Sequence, residues 1–375
     1  MNIAILGLGT IGGGVFDLLQ KTTAITVKRI LDIKCWNELM TTDINDIIND
    51  KSIDAVVETM GGLHPAFEYA KKCIENGKHY ITANKYLVSE FGYELNRLAY
   101  NHNVGFVFGA ACGGGMPLLK SICDVLSVDK ITEIGGILNG TTNFILDSMQ
   151  NNDLKYDEAL LNAQKLGYAE KDPTSDVCGY DTQRKLALGC GVAFGKIIKT
   201  DSIPVCGINT IQKRDIDYFA RKKKTIKLVA SAKVTDKGIA AIVSPRAISS
   251  ASALGSVEKN LNLAWYNGSL SGRFDFIGQG AGKYPTAANI IRDLICIKDG
   301  FRYMFKEDLQ TDSAPDISES FYARVKAEDY NLFKAYAKNI VDKTDEYIAF
   351  ETDTVSTSEF IGIVNKTGSA FCAII

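Results

Sequence analysis

The first fourteen residues constrain the fold more than any other stretch. Residues 2–14 read NIAILGLGTIGGG, a short apolar run followed by Gly7-x-Gly9-x-x-Gly12, and Val15, Leu18 and Leu19 then recur at helical spacing. The pattern predicts a strand, a tight turn and a helix, the opening unit of a dinucleotide-binding fold. Gly7 allows the turn, Gly9 lets the backbone approach a pyrophosphate, and Gly12 allows close helix packing. The amides at the start of the helix then face the anion.

The next hundred residues fit a doubly wound α/β sheet. Strand-like runs recur at 27–33, 53–58, 79–82 and 105–108, separated by helical stretches such as 67–74 and 90–101. Right-handed crossovers line up the C-terminal ends of these strands along one edge, where ligands bind. Asp32, about twenty residues after the glycine turn, is placed to bond the ribose hydroxyls of NAD. Arg29 and Lys34 flank it, and either could hold the 2′-phosphate of NADP, so both cofactors stay open.

Composition narrows the remaining classes. With 375 residues, 46% hydrophobic and 23% charged, the chain can bury a large core and divides into two or three domains. A net charge of -2 gives no global field for nucleic acid or an anionic membrane. No run of eighteen apolar residues and no signal-peptide pattern is present, so we expect a cytoplasmic protein with no membrane partner. Nine cysteines lie scattered, mostly in apolar segments and without a C-x-x-C pair, which predicts reduced, buried thiols. His64, His79 and His102 are too far apart in sequence to suggest a zinc site.

Residues 162–191 hold the densest polar chemistry. Glu170, Lys171, Asp172, Asp176, Asp181, Arg184 and Lys185 fall close together, with Pro173 and Gly179 breaking the chain into an irregular loop. A helix restarting near Asp181 places that carboxylate four residues from Lys185 on one face and turns Leu186, Gly189, Cys190 and Ala193 toward a core.

These stretches, with Lys85 in TANK, GAACGGGMP at 109–117, GGILNGTTNFIL at 135–146, GYAEKDPTSDVCGYDTQRKLAL at 167–188 and GQGAGKYPTA at 278–287, resemble homoserine dehydrogenases over residues 1 to about 305. The resemblance implies interconversion of L-homoserine and L-aspartate 4-semialdehyde by hydride transfer with NAD or NADP. It implies a Rossmann-type domain at 1–128, completed by about 283–308, and a mixed α/β catalytic and dimerisation domain at 129–282, with a homodimer or higher homo-oligomer as the assembly. Glu170 then matches the residue that binds the substrate's amino group, Asp181 the acid that positions it, Lys185 the lysine at the reacting oxygen and Lys85 a second lysine between nicotinamide and substrate. Asp176 joins Glu170 and Lys185 as a substrate contact. Gly7, Gly9, Thr10, Ile11, Gly12, Thr59, Lys85 and Gly280 match cofactor positions, and the carbonyls of Gly109, Cys112, Gly114 and Met116 resemble a monovalent (Na+) cation site.

The chemistry of the residues agrees with this substrate. A small zwitterion with a primary alcohol needs a carboxylate for its ammonium and cations for its oxygens. A lysine with its pKa lowered near a cofactor cation can take the alcohol's proton. Two other classes compete: an acylating semialdehyde dehydrogenase with Cys112 as nucleophile, which lacks a histidine downstream of residue 102, and a regulator that binds NAD(P) without turnover.

Residues 309–375 read as a small α+β segment that resembles a degenerate ACT-like domain. We expect a linker over 311–314, a strand at 321–325, a helix at 332–341, and strands at 347–352 and 360–364, with no clear second helix and no glycine turn. The stretch 249–254, Ser249-Ser250-Ala251-Ser252-Ala253-Leu254, departs from the His-Pro-Leu-Ala run of many family members, away from every proposed catalytic residue.

Overall fold

The computed structural model describes residues 1–21, 24–306, 310–312 and 314–375. Six strands, β1 (Asn2–Leu6), β2 (Thr26–Leu31), β3 (Met40–Thr41), β4 (Ala55–Glu58), β5 (His79–Thr82) and β6 (Phe106–Val107), form a parallel sheet in the order β3-β2-β1-β4-β5-β6. Helices α1 (Thr10–Leu19), α2 (Asn45–Ile48), α3 (Ala66–Glu75) and α4 (Lys85–Asn101) connect the strands. β1 and β4 are almost wholly buried, as parallel strands covered on both faces must be, which is why they read as unbroken apolar runs. Strand order reverses between β1 and β4, so a crevice opens at their C-terminal ends beside the glycine turn.

The chain then leaves through α5 (Leu118–Val125) into β7 (Ile131–Ile137), α6 (Gly140–Asn151), α7 (Tyr156–Lys165), the single turn α8 (Thr174–Val177), α9 (Tyr180–Phe194), β8 (Lys196–Ile198) and α10 (Lys213–Arg221). Strands β9 (Lys224–Thr235), β10 (Gly238–Ser249), β11 (Leu261–Gly268) and β12 (Gly272–Gln279) pair with β7 in the order β12-β11-β7-β9-β10. Leu186, Cys190 and Ala193 are buried along α9, as their spacing predicts, and Gly189 on the same helix lies against Ile134 of β7, 3.0 Å from where a Cβ would stand. Helix α11 (Lys283–Lys298) returns the chain to α1, where a Cβ on Gly14 would lie 2.9 Å from the Lys283 carbonyl oxygen. Tyr303 then bridges to Phe106 at the edge of the first sheet.

The last seventy residues depart from expectation at three points. Gln310–Asp312 is not a free linker: it forms β13, parallel to β8, while Ser313 lies outside the described residues. The expected helix at 332–341 stops after one turn, α12 (Tyr330–Phe333), and the chain continues as β15 (Ala337–Lys343) beside β16 (Tyr347–Ser356). Leu332, Phe333 and Tyr336 have helical spacing, but pairing with β16 overrides that local preference. The expected strand at 360–364 lies inside α13 (Thr357–Thr367). Ser356 caps it, accepting from Glu359 N at 3.2 Å, and Gly368 ends it at φ 65°. This Ser-x-x-Glu start followed by a terminal glycine marks a helix.

With β14 (Ser318–Lys326) and β17 (Phe371–Ile374), the unit therefore has the order β-α-β-β-α-β and a sheet arranged β17-β14-β16-β15. It is a complete two-helix unit rather than a truncated one. β17 also pairs in parallel with β10, so the second and third sheets fuse into nine continuous strands.

One face of the C-terminal sheet packs on α10. Tyr218 stacks on Tyr322 with ring centroids 4.9 Å apart. Beneath them Arg324 Nε donates to Asp215 Oδ1 at 3.0 Å, Tyr322 donates to the same oxygen at 2.9 Å, and Arg324 Nη2 reaches the Thr210 carbonyl at 2.6 Å. Asp215 and Arg324 are 0% and 3% exposed. Burial pushes the Asp215 carboxyl up, and Arg324 pulls it back only in part. Removing one member strands a buried charge, so Arg324→Ala should destabilise the protein by about 3–5 kcal/mol. A urea midpoint equal to that of the wild type would show that this pair does not hold the seam.

Candidate active site

The strand–helix junctions of the two larger domains converge on a cleft of about 570 Å³ lined by Lys85, Asn139, Glu170, Asp176, Asp181, Lys185 and Gly280, among others. At its floor lies Asp181, 2% exposed. Its Oδ1 accepts from Lys85, and its Oδ2 lies 2.8 Å from Lys185 Nζ, one helical turn on, as the i,i+4 spacing predicts. Lys185 also donates to the Leu138 carbonyl at 2.7 Å. Each lysine comes from a different domain, and one carboxylate joins them.

Charge within this cluster is set by pairing. Burial raises the Asp181 carboxyl, but Lys185 and Lys85 outweigh it and hold the group well below the usual carboxylate range. Burial likewise pulls Lys185 down, and the charge and hydrogen bond of Asp181 more than offset it, so its net shift is upward. The lysine expected to have a lowered pKa is thus held as an ammonium. The Asp176 carboxyl is raised, chiefly by burial, and the Asn139 amide opposes that rise.

Local capping aims both lysines. Lys85 is the first residue of α4, and Asn84 caps that helix by accepting from Leu87 N at 3.2 Å while its amide donates to the Gly62 carbonyl at 2.6 Å. Buried Glu58 accepts from Met60 N at 2.8 Å, Gly61 N at 3.0 Å and Thr82 Oγ1 at 2.6 Å, tying the loop after β4 to the entry of α4. Gly179, at φ 84°, starts α9, and a Cβ there would meet Val205 at 2.9 Å.

The dinucleotide crevice is shaped by what glycine leaves out. A Cβ on Gly12 would lie 2.0 Å from the Gly7 carbonyl and 2.7 Å from Thr59 Oγ1, while one on Gly9 meets nothing within 4 Å. Gly12 is therefore needed for packing, and Gly9 faces open space where a pyrophosphate fits. Thr59 Oγ1 donates to the Gly7 carbonyl at 2.8 Å, locking the turn to β4. Thr10 and Ile11 open α1 beside it. Asp32 stands at the end of β2, with Oδ2 accepting from Leu8 N at 2.6 Å, and Arg29 is tied to the Glu38 carbonyl at 2.8 Å. Lys34 is exposed beyond the strand end. Gly280 closes the cleft opposite: a Cβ there would fall 2.2 Å from the Asn262 amide nitrogen, which is buried and without a partner among the described residues.

This two-domain geometry has relatives. A profile described as homoserine dehydrogenase matches residues 117–295, and one described as the homoserine dehydrogenase NAD binding domain matches residues 7–108. The homoserine dehydrogenase of Bacillus subtilis (strain 168) is 34% identical over 319 residues, which is 80% of this chain and 74% of the relative. That of Lactococcus lactis subsp. lactis (strain IL1403) is 37% identical over 324 residues, 80% and 76%. The chain belongs to the homoserine dehydrogenase family. A crystal structure of a homoserine dehydrogenase from Thiobacillus denitrificans has the same fold, with a TM-score of 0.88 at 28% identity over 100% of this chain and 97% of that one. The protein is thus an NAD(P)-dependent oxidoreductase that interconverts L-homoserine and L-aspartate 4-semialdehyde in amino-acid biosynthesis.

As a homoserine dehydrogenase, it has no use for Cys112 as a nucleophile. That thiol is buried and donates to the Lys185 carbonyl at 3.6 Å, and burial pushes it up to about 11. Glu170 lies at the exposed rim of the cleft, where its carboxylate has no partner among the described residues. Reading the sequence missed Asn139, Asn84, Glu58 and Asn262. An asparagine one residue before a helix was the available signal for the first two, whereas Glu58 and Asn262 act through long-range contacts. Gly9→Ala should leave thermal unfolding unchanged and weaken NAD(P)H binding roughly ten- to a hundredfold, the loss expected when charge-assisted contacts are displaced. Gly12→Ala should impair both. Unaltered fluorescence titration of NADPH onto the Gly9 variant would show that the pyrophosphate sits elsewhere.

Proposed function

We propose that Lys185 exchanges the proton of the substrate's C4 oxygen, that Lys85 helps hold that oxygen beside the cofactor, and that Glu170 and Asp176 receive the substrate's ammonium. The observation that carries this is the single buried carboxylate, Asp181, shared by two lysines facing one cleft. Both Asp181 oxygens are already taken, so it acts by holding the lysines. Two donors of Lys185 go to Asp181 and the Leu138 carbonyl, leaving the third for substrate. A nicotinamide cofactor held at the glycine turn of Gly7, Gly9 and Gly12 would supply the hydride exchanged with substrate carbon 4. During reduction the Lys185 ammonium delivers a proton as negative charge gathers on the oxygen; during oxidation the amine takes it back. The raised Lys185 pKa means the resting protein is charged for reduction.

We assign dinucleotide binding to residues 1–128 with 283–308, substrate binding to 129–282, and no catalytic group to 309–375. The cofactor is NAD or NADP: Asp32 supplies the acceptor that suits a ribose diol, and Arg29 the nearby cation that suits a 2′-phosphate. A cation at the carbonyls of Gly109, Cys112, Gly114 and Met116 fits less well. The Asn289 amide already donates to the Gly114 and Met116 oxygens at 2.7 and 3.2 Å, so we derive no step through such an ion. Nine free cysteines fit the reducing cytoplasm. Edge strand β12, with Phe274 and Ile277 45% and 57% exposed, is proposed as a homodimer contact. Ile277→Glu should then sediment as a smaller species, and an unchanged sedimentation profile would move the interface elsewhere.

Steady-state kinetics test the site. Lys185→Ala should lower turnover by about two to four orders of magnitude with cofactor affinity unaltered. Lys185→Arg keeps the charge but cannot exchange its proton, so it too should be severely impaired. Glu170→Gln should chiefly raise the Michaelis constant for homoserine, by roughly ten- to a hundredfold. A fully active Lys185→Ala protein would leave Lys85 as the proton-transfer group.

A further inference from the structure

Asn139 stands at the end of β7 as the N-cap of α6, and its amide makes three hydrogen bonds at once. Its Oδ1 accepts from Thr142 N at 2.8 Å, while its Nδ2 donates to Asp176 Oδ1 at 2.7 Å and to Asp181 Oδ2 at 3.0 Å. The cap fixes which way the amide faces. Because Oδ1 must accept from the helix amide, Nδ2 must point at the carboxylates, and each of its hydrogens goes to a different one. The helix itself is anchored a turn later, where Asn143 Nδ2 donates to the carbonyls of Lys259 and Leu261, both at 3.1 Å.

Charge around this amide is unevenly shared. Asp181 takes both lysines, whereas Asp176 has Asn139 as its only side-chain partner among the described residues. Two carboxylates beside one another repel. Lys185 and Lys85 lie close enough to act on Asp176 electrostatically, but among the described residues both pair with Asp181 and neither bonds Asp176. Glu170 adds a third carboxylate at the rim. We propose that Asn139 is a positioning residue for the dehydrogenase reaction: its amide clamps Asp176 and Asp181 apart, presents the remaining oxygen of Asp176 to the substrate's ammonium, and leaves Asp181 to the lysines. The inference rests on the assignment of Asp176 to the substrate site.

An amide, rather than any N-cap, is what this role requires. Serine and aspartate both cap helices, but serine is too short to bridge two carboxylates, and aspartate adds a third negative charge among them. Asn139→Asp and Asn139→Ser should therefore unfold near the wild-type temperature, yet lose about ten- to a hundredfold in kcat/KM for homoserine, the usual range for an outer-layer hydrogen-bond partner. The loss should fall mainly on KM, with NADPH affinity unaltered. In the aspartate variant the acid limb of kcat/KM should move to higher pH. Asp176 must be ionised to hold an ammonium, and removing its donor beside a new carboxylate makes it protonate sooner, with Asp181, Lys85, Lys185 and Glu170 still facing it.

Thermal unfolding and full pH–rate profiles of the two variants, with Asp176→Asn in parallel, decide the matter. Variants that fold normally and keep the wild-type KM and acid limb would overturn the clamp, provided Asp176→Asn is impaired. An unimpaired Asp176→Asn would instead overturn the placing of Asp176 at the substrate, and the clamp with it. Failure of both Asn139 variants to fold would assign Asn139 to the helix cap alone and overturn the clamp as well.

Discussion

A carboxylate with almost no exposure persists as an ion only if cations and hydrogen-bond donors surround it, and Asp181 meets that demand from two domains. Lys185 arrives from its own helix and Lys85 from the nucleotide-binding sheet. The second contact spans 96 residues of sequence. Separating the domains would take Lys85 from Asp181 and leave Lys185 as its one cationic partner among the described residues, so the pairing that gathers the lysines at the cleft also holds the domains together. Asp181 sits in the first turn of α9, where the helix dipole favours a negative charge. The cluster of Asp176, Asp181, Lys85 and Lys185 is neutral as a whole and strongly polarised locally.

Close backbone approach is the second constraint. Around the crevice, chain packs on chain with no room for side chains: Gly12 against Gly7 and Thr59, Gly114 with a would-be Cβ 2.2 Å from the Gly280 carbonyl, and Gly280 against Asn262. Gly115 N donates to the Gln279 carbonyl at 3.0 Å, so the loop after β6 and the loop after β12 are stitched together by main chain. Gly109 N in turn donates to buried Asp293 on α11 at 2.8 Å. These contacts seat the nine-stranded mixed sheet against the six-stranded parallel one, and they explain why glycine clusters at 109–115 and 278–282.

Features written in short-range pattern were legible in the sequence. The glycine turn, the apolar runs of a parallel sheet, and the i,i+4 pair Asp181–Lys185 each depend on neighbours within a few residues. The Lys85–Asp181 contact was not readable from spacing; only the family resemblance placed Lys85 there. The C-terminal unit was misread where local signals competed. Residues 332–341 carry helical spacing, yet the helix stops at Phe333 and the strand begins at Ala337, because an unpaired edge of β16 offers more hydrogen bonds than an isolated turn of helix. Residues 357–367 carry β-branched residues yet form a helix, and the cap pair Ser356–Glu359 was the deciding signal. Asn139 lay inside a quoted motif, but its use depends on two carboxylates 37 and 42 residues away.

The fused nine-stranded sheet limits what the C-terminal unit can do. Its β17 edge is spent on β10 and one of its faces on α10, so the open β15 edge and the helical face are the surfaces left for another molecule. Cys372 on β17 donates to Cys206 at 3.4 Å, and the chain at 204–208 lies directly behind the entry of α9, with Ile208 N donating to the Val177 carbonyl at 2.7 Å. Asp176 and Asp181 flank that entry. A displacement of β17 relative to β10 would thus be felt first at the backbone that presents the two carboxylates, and only afterwards at the lysines, because Asp181 is tied to them by charge while Asp176 is tied by a single amide hydrogen bond. Of the two carboxylates, the weaker-held Asp176 is the one through which strain in the C-terminal unit would reach the cleft.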